Sequence, residues 1–298
     1  MYYINILQYG TGIQPETIKK RRKVLDWAQV YAGIFIMALA LSLIFTPLCQ
    51  LLAGKTGFLD IPKHEQHKLH AKSTPLLGGL AMFGAWFLTS CAALTAAGYF
   101  LPAATENLLR GIEGLTAIRK EIITVGICAA ASVVMGTIDD KYALSARTKL
   151  IGQILIAVAT VTFGGVRISL FFNHPVICWA ISVFWIVFLF NAINFFDNMD
   201  GLACGTAAIA FLFFTAAAIV NGQYFVACLG ACSAGTAIGF WFFNHSPASI
   251  FMGDGGSHLL GYLLAVISAR VTYYNPEISA SRLTVLIPLF ILAVPIFD

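Results

Sequence analysis

The sequence predicts an all-α, polytopic membrane bundle, and three observations predict it. Apolar residues fill 59% of the 298 positions and charged residues only 11%, with a mean hydropathy of +0.82. Soluble domains carry about 25% charged residues. Apolar windows of about 20 residues, the length that crosses a hydrocarbon core, recur along the chain. The chemically rich stretches fall between those windows and not within them.

In chain order, residues 1–26 form a polar, basic tail ending in KKRRK, Lys19 to Lys23. Such a cluster beside a span reads as a topology or headgroup signal. About nine transmembrane helices are expected, over 27–53, 77–101, 121–138, 149–165, 175–193, 203–221, 223–243, 257–275 and 282–297. Residues 102–120, with Glu106, Arg110, Glu113 and Arg119, read as a loop with an amphipathic helix. Residues 164–172 (GGVRISLFF) read as a small β-hairpin. Residues 27–298 therefore read as a single membrane domain behind the tail. No cleavable signal peptide is expected, because the first apolar run is too long for one.

The seven cysteines lie mostly inside apolar runs, without CxxC spacing, so they read as small buried hydrophobes and not as zinc ligands or disulfides. The basic runs lack interleaved aromatics, which argues against nucleic-acid binding. The net charge of +4 is small.

Counting spans sorts the loops. Residues 54–76, 139–148, 194–202 and 244–256 fall on one side of the membrane. Of the seven acids after Glu121, five (Asp139, Asp140, Asp197, Asp200 and Asp254) lie in these loops. The positive-inside tally is divided. The motif-side loops carry seven basic residues and the opposite loops five, but the tail turns this to seven against ten. The chemistry of the motif face places it in the cytoplasm.

That chemistry starts with Asp139-Asp140 at the mouth of a span. Two adjacent carboxylates beside a low-dielectric region favour neutralisation by a cation. Oxygen ligands without cysteine suit a hard ion, Mg²⁺ or Mn²⁺. Mg²⁺ takes one or two protein ligands and shares the rest with water and phosphates, so some of the five acids must do other work. Lys149 and Lys72 are point-charge phosphate binders on the same face, with His70 and Lys68 beside them. The run FMGDGGSHLLG, Phe251 to Gly261, opens a span with glycines and an acid, as an anion-facing helix start does. Cations, phosphates and a hard metal together are the equipment of phosphoryl transfer.

Four stretches, DIPKHEQHKLHAKSTPLLGG, GTIDDKYALSARTKLIGQ, NAINFFDNMDGLACG and FFNHSPASIFMGDGGSHLLG, resemble in order and spacing the motifs of the polyprenyl-phosphate N-acetylhexosamine-1-phosphate transferases of the glycosyltransferase family 4 type. The short turn between Asp140 and Lys149, and LIPLFILAVPIFD, are similar to the UDP-GlcNAc:undecaprenyl-phosphate branch. That branch starts lipopolysaccharide O-antigen, enterobacterial common antigen and teichoic acid linkage units in cell wall biogenesis. The resemblance implies a multi-pass enzyme of the bacterial inner membrane with a cytoplasmic, Mg²⁺-dependent site. It would transfer GlcNAc-1-phosphate from UDP-GlcNAc to undecaprenyl phosphate and release UMP.

By motif, Asp254 is similar to the metal-ligating aspartate and Asn194 to the asparagine beside it. Lys149 resembles the diphosphate-contacting lysine, and Asp139 and Asp140 the catalytic pair. Phe251 and Asp200 resemble the uracil-stacking and base-reading residues, with Asp197 and Asn191 expected in the same nucleotide-sugar pocket. Lys72, His70 and Lys68 are expected near a substrate or lipid phosphate. A departure stands at His67-Lys68, where the family has Arg-Lys. The resemblance also implies a further loop and span beyond Asp298. A homodimer stays open. The competing readings are a phospho-MurNAc-pentapeptide transferase, an inactive truncated paralogue and an ion-coupled transporter. Acids at span ends, not at the midplane, count against the transporter.

Overall fold

The computed structural model describes residues 26–60, 73–100, 118–168, 174–271 and 286–297, with backbone alone for 97–100. The elements are α1 (Trp27–Thr56), β1 (Leu59–Asp60), β2 (Thr74–Pro75), α2 (Gly78–Phe100), α3 (Arg119–Tyr142), α4 (Ala146–Phe163), α5 (Pro175–Phe196), α6 (Leu202–Val220), α7 (Tyr224–Asn244), α8 (Gly253–Arg270), α9 (Ile287–Ile291) and α10 (Ala293–Phe297). The molecule is a multi-pass helical membrane protein.

Local signals place the helix ends. Asp26 opens α1 with a capping box, its side chain accepting from the Trp27 N–H while the Gln29 side chain reaches back. Gly57 closes the same helix in the left-handed region. Ser145 caps α4, its Oγ accepting from the Thr148 N–H, a contact worth about 1 kcal/mol. Pro175 sits in the first turn of α5, where its missing N–H costs nothing.

Among the described residues, seven helices, α1 to α7, are long and apolar enough to cross a membrane. The nine expected spans map onto this set with two differences. The eighth corresponds to α8, whose first turns, Gly253 to His258, carry polar groups in place of apolar ones. The ninth falls on α9 and α10, five residues each, set apart by Leu292. Residues 164–168 form no strand, and the rest of the expected hairpin lies outside the described residues, as do the tail and most of 102–120. The strands that do exist are two-residue segments, pairing antiparallel with Leu59 opposite Pro75.

The architecture is a collar around α8. Every residue from Gly255 to Ser268 is buried, so α8 is walled by protein and not by lipid. Its neighbours are chiefly α3, α5 and α2, with α6 and α7 behind. Small residues allow the close approaches. The α1 backbone lies directly on Gly235 and Gly239 of α7, and the Ser42 hydroxyl donates to the Thr236 carbonyl across that seam at 2.8 Å. At the other extreme, α1 buries only six of its thirty residues and shows Ile36, Ile44, Leu48 and Leu51 outward.

Candidate active site

Four helices end or begin at one level of the bundle and bring their polar ends together. The chain leaves α3 at Asp139-Asp140, turns through Ala143 in the left-handed region, and enters α4 just before Lys149. The α5 helix delivers Asn194 in its last turn, and α8 delivers Asp254 in its first.

Lys149 is the hub. Its Nζ lies 2.6 Å from Asp254 Oδ2, 2.8 Å from Asp139 Oδ2 and 3.0 Å from Asn194 Oδ1. Three oxygens from three helices thus surround one cation, and the Lys149 side chain is only 18% exposed. Asn194 is oriented at both ends. Its amide nitrogen donates to Asp254 Oδ1 at 2.8 Å and to Ser257 Oγ at 2.9 Å.

The two adjacent aspartates divide their work. Asp139 accepts from the Leu144 N–H through one oxygen and pairs Lys149 through the other, so it closes the turn and neutralises the lysine. Asp140 points across the bundle. Its carboxylate accepts from the backbone N–H of Asp254 at 2.8 Å and of Gly255 at 3.2 Å. Those amides begin α8, and an acceptor there satisfies orphan donors and meets the positive end of the helix dipole. Asp140 is therefore the cap of a helix more than a hundred residues away. Gly253 permits this arrangement, with φ of +64° and Asp140 filling the space where a side chain would stand.

The remaining loops lock onto the same level. Gly78 and Gly79 donate their N–H groups to the carbonyls of Phe251 and Met252, and the Phe251 N–H donates to the Pro75 carbonyl. A Cβ at Gly79 would strike the backbone of Gly255 and Gly256, so this glycine pair is a close helix contact. Asp200 Oδ2 accepts from the Ala248 N–H, tying the loop after α5 to the loop after α7. The four loops expected on one face therefore converge.

Asp197 caps the C-terminal end of α5 and is half-buried. Burial pushes its carboxyl up to about 7, and the charges of Asp254, Asp140 and Asp200 add to that. The structure thus gathers Asp139, Asp140, Lys149, Asn194 and Asp254 directly, and sets Asp197, Asp200 and half-buried Phe251 around them. Asn191 stands one turn below Asn194, its amide donating to Gln153 Oε1 at 2.8 Å and to the Val187 carbonyl. Lys72, His70 and Lys68 lie outside the described residues.

No group of three or more His, Cys, Asp and Glu side chains is gathered to hold a metal among the described residues. The donor chemistry nevertheless fits a hard cation. Asp254 and Asn194 offer oxygen only, and a positive group, the Lys149 ammonium, already rests on both.

A family model described as "Glycosyl transferase family 4" matches residues 122–272, which contain all of these side chains except those outside the described residues. This chain belongs to glycosyl transferase family 4. It is a sugar-phosphate transferase. Among family members, a probable undecaprenyl-phosphate N-acetylglucosaminyl 1-phosphate transferase from Bacillus subtilis is 35% identical over 273 residues, covering 89% of this chain and 68% of that one. A phospho-N-acetylmuramoyl-pentapeptide-transferase from Bacillus thuringiensis is 31% identical over 259 residues, covering 80% and 74%. Its counterpart from Bacillus cytotoxicus is 30% identical over the same length.

One residue of this family member escaped the sequence reading. Gln153 is fully buried inside an apolar span and touches both Asn191 and His258. Its signal was faint but real: it is four residues after Lys149, on the same face of α4.

Proposed function

We propose that this protein transfers GlcNAc-1-phosphate from UDP-GlcNAc to undecaprenyl phosphate, releasing UMP. The observation that carries the reading is the Lys149 hub, with oxygens of Asp139, Asn194 and Asp254 from three helices converging on one cation at 2.6–3.0 Å. The B. subtilis relative's name supports the choice of donor and acceptor.

The reaction is a phosphoryl transfer. An oxygen of the acceptor phosphate forms a bond to the β-phosphorus of the donor. The bond from that phosphorus to the bridging oxygen breaks, and UMP leaves with the electron pair. A phosphomonoester has its second pKa near 6 and is mostly dianionic at pH 7. It needs no general base, which suits a pair of aspartates whose oxygens are already engaged. Asp139 holds Lys149, and Asp140 holds the start of α8. Lys149 offers its charge to the diphosphate, where positioning and neutralisation do most of the work.

Asp254 and Asn194 would hold Mg²⁺, with Mn²⁺ as a substitute, and the ion would supply further positive charge at the phosphates. Phe251, Asp197 and Asp200 line the level where the nucleotide would lie. Lys68, His70 and Lys72 belong to the loop expected to meet the lipid phosphate. The site end faces the cytoplasm across the bacterial inner membrane, because a multiply charged nucleotide sugar does not cross a bilayer unaided.

The test is transfer of label from radiolabelled UDP-GlcNAc to undecaprenyl phosphate with Mg²⁺ in membranes, with Asp254→Asn as control. Lipid-linked sugar that disappears in the control supports the reading. Label transferred only from UDP-MurNAc-pentapeptide would overturn it in favour of the pentapeptide branch.

A further inference from the structure

Beneath the Lys149 hub lies a second polar layer built from α4, α5 and α8. Lys149 and Gln153 share a face of α4 at i, i+4. Asn194 and Asn191 share a face of α5 at i, i+3. Asp254 and His258 share a face of α8 at i, i+4. Each helix contributes one residue to each layer. Four residues of helix rise about 6 Å, so the lower layer sits one turn deeper in the membrane. Gln153 and His258 are fully buried, and the Phe190 ring lies beside the imidazole with centroids 5.5 Å apart.

The donors and acceptors in this layer admit one consistent assignment with neutral histidine. His258 Nδ1 contacts the Asp254 carbonyl, which can only accept, so Nδ1 carries the proton. His258 Nε2 then has a lone pair, and Gln153 Nε2 donates to it at 3.2 Å. That fixes the Gln153 amide, whose Oε1 accepts from Asn191 Nδ2 at 2.8 Å. The chain of bonds runs Asn191, Gln153, His258 and then the backbone of Asp254, the residue whose carboxylate meets Lys149 and Asn194.

We infer that Gln153, Asn191 and His258 are positioning residues for the transfer reaction, holding the first turn of α8 so that Asp254 faces Lys149 and Asn194. This rests on the transferase reading above. A buried network with every member satisfied specifies one arrangement, while a partly satisfied one costs stability. Groups standing behind reactive residues commonly change affinity or activity by about 10–100-fold when removed. The inference also gives Asn191 a different task from nucleotide contact.

Two measurements on the full chain in lipid nanodiscs test this. The first is the ¹⁵N spectrum of histidine-labelled protein, in which the His258 signals are those missing from His258→Asn. Wild type is expected to show the neutral Nδ1–H tautomer, and Gln153→Leu the same tautomer with its Nε2 signal moved to the position of an unbonded lone pair. An Nε2–H tautomer or an imidazolium in wild type would overturn the inference, whatever the activity. The second compares Gln153→Leu with Asn191→Leu/Gln153→Leu/His258→Leu, which removes every partner at once. Replacing all partners by apolar groups leaves stability nearly unchanged, whereas removing one strands the others. Both variants are expected to lose about 10–100-fold in kcat with KM for UDP-GlcNAc within about threefold of wild type. Wild-type kcat in a stable triple variant would sink the positioning role. If the triple variant does not fold, kcat per folded molecule of Gln153→Leu decides, and a wild-type value counts against the inference. Wild type with the expected tautomer and no transfer from any UDP-sugar would instead overturn the transferase reading.

Discussion

The two ends of α8 carry charge in different ways. At its last turn, Arg270 pairs with Glu121 of α3 at 2.6 Å and donates to the Gly164 carbonyl at 2.9 Å. One cation meets one anion, and the spare guanidinium donor finds a backbone acceptor. At its first turn, Asp254 pairs with Lys149 together with Asp139, and Asp140, Asp197 and Asp200 stand near it. Both ends suit the helix dipole, with an acid at the start and a base at the finish. They differ in balance. Arg270 and Glu121 neutralise each other, which is what a structural clamp needs. Among the described residues, the Asp254 end carries an excess of acids over bases, which a cation would offset. The contrast teaches that charge imbalance, more than the presence of charge, marks the reactive end of a membrane helix.

Substitutions can break this comparison, and the largest effect is expected at the unbalanced end. Asp254→Asn should lower transfer by about a thousandfold in the UDP-GlcNAc assay. Its melting temperature should stay close to that of wild type, because the amide still accepts from Lys149. A large fall in melting temperature with activity retained would reverse the assignment of the two ends.

Next comes Asp197, whose ionisation the neighbouring acids oppose. Its folded carboxyl titrates near 7, above an ordinary 3.8, so the native state holds the proton more tightly than the unfolded chain. The stability it contributes is full below pH 4 and is lost as pH rises through 7. In metal-free protein, Asp197→Asn should therefore be more stable than wild type at pH 8, by about 2 kcal/mol. That is half the cost of a three-unit shift, a discount for the water that still reaches the group. The gain should vanish near pH 4. Equal melting temperatures for the two proteins from pH 4 to 8 would remove Asp197 from the acid cluster's field.

The balanced end should respond in the opposite sense to Asp254. Arg270→Met is expected to cost about 1–2 kcal/mol of stability, the pair being partly exposed. Transfer per folded molecule should stay within about twofold. The smallest effect separates the adjacent aspartates. Asp140→Asn loses one of two accepted N–H bonds at the α8 start and should cost about 1 kcal/mol in thermal unfolding. Asp139→Asn leaves that cap intact and weakens the Lys149 pair, so its loss should appear in kcat more than in melting temperature.

Much of this was legible in the sequence, for physical reasons. Apolar windows gave the helices α1 to α7 because a bilayer leaves the backbone few alternatives. Span parity alone puts Asp139, Asn194 and Asp254 on one face. Other features could not be read. The bond from Asp140 to the Asp254 N–H joins positions 114 apart, and no local pattern announces it. Gln153 reads as a tolerated polar residue in a long apolar run until Asn191 and His258 are seen beside it. The segment 282–297 had the composition of a span, yet 287–297 forms two short helices, α9 and α10.

The enclosure of α8 has one more consequence. A helix that faces lipid must match its apolar length to the hydrocarbon thickness, by tilting or by deforming the bilayer. The α1 helix, thirty residues long and exposed along most of its surface, is under that constraint. The α8 helix, buried from Gly255 to Ser268, is not. Asp254 is thereby mounted on a shaft that the membrane does not grip. Thinner or thicker bilayers would re-tilt the outer helices around it before they moved Asp254.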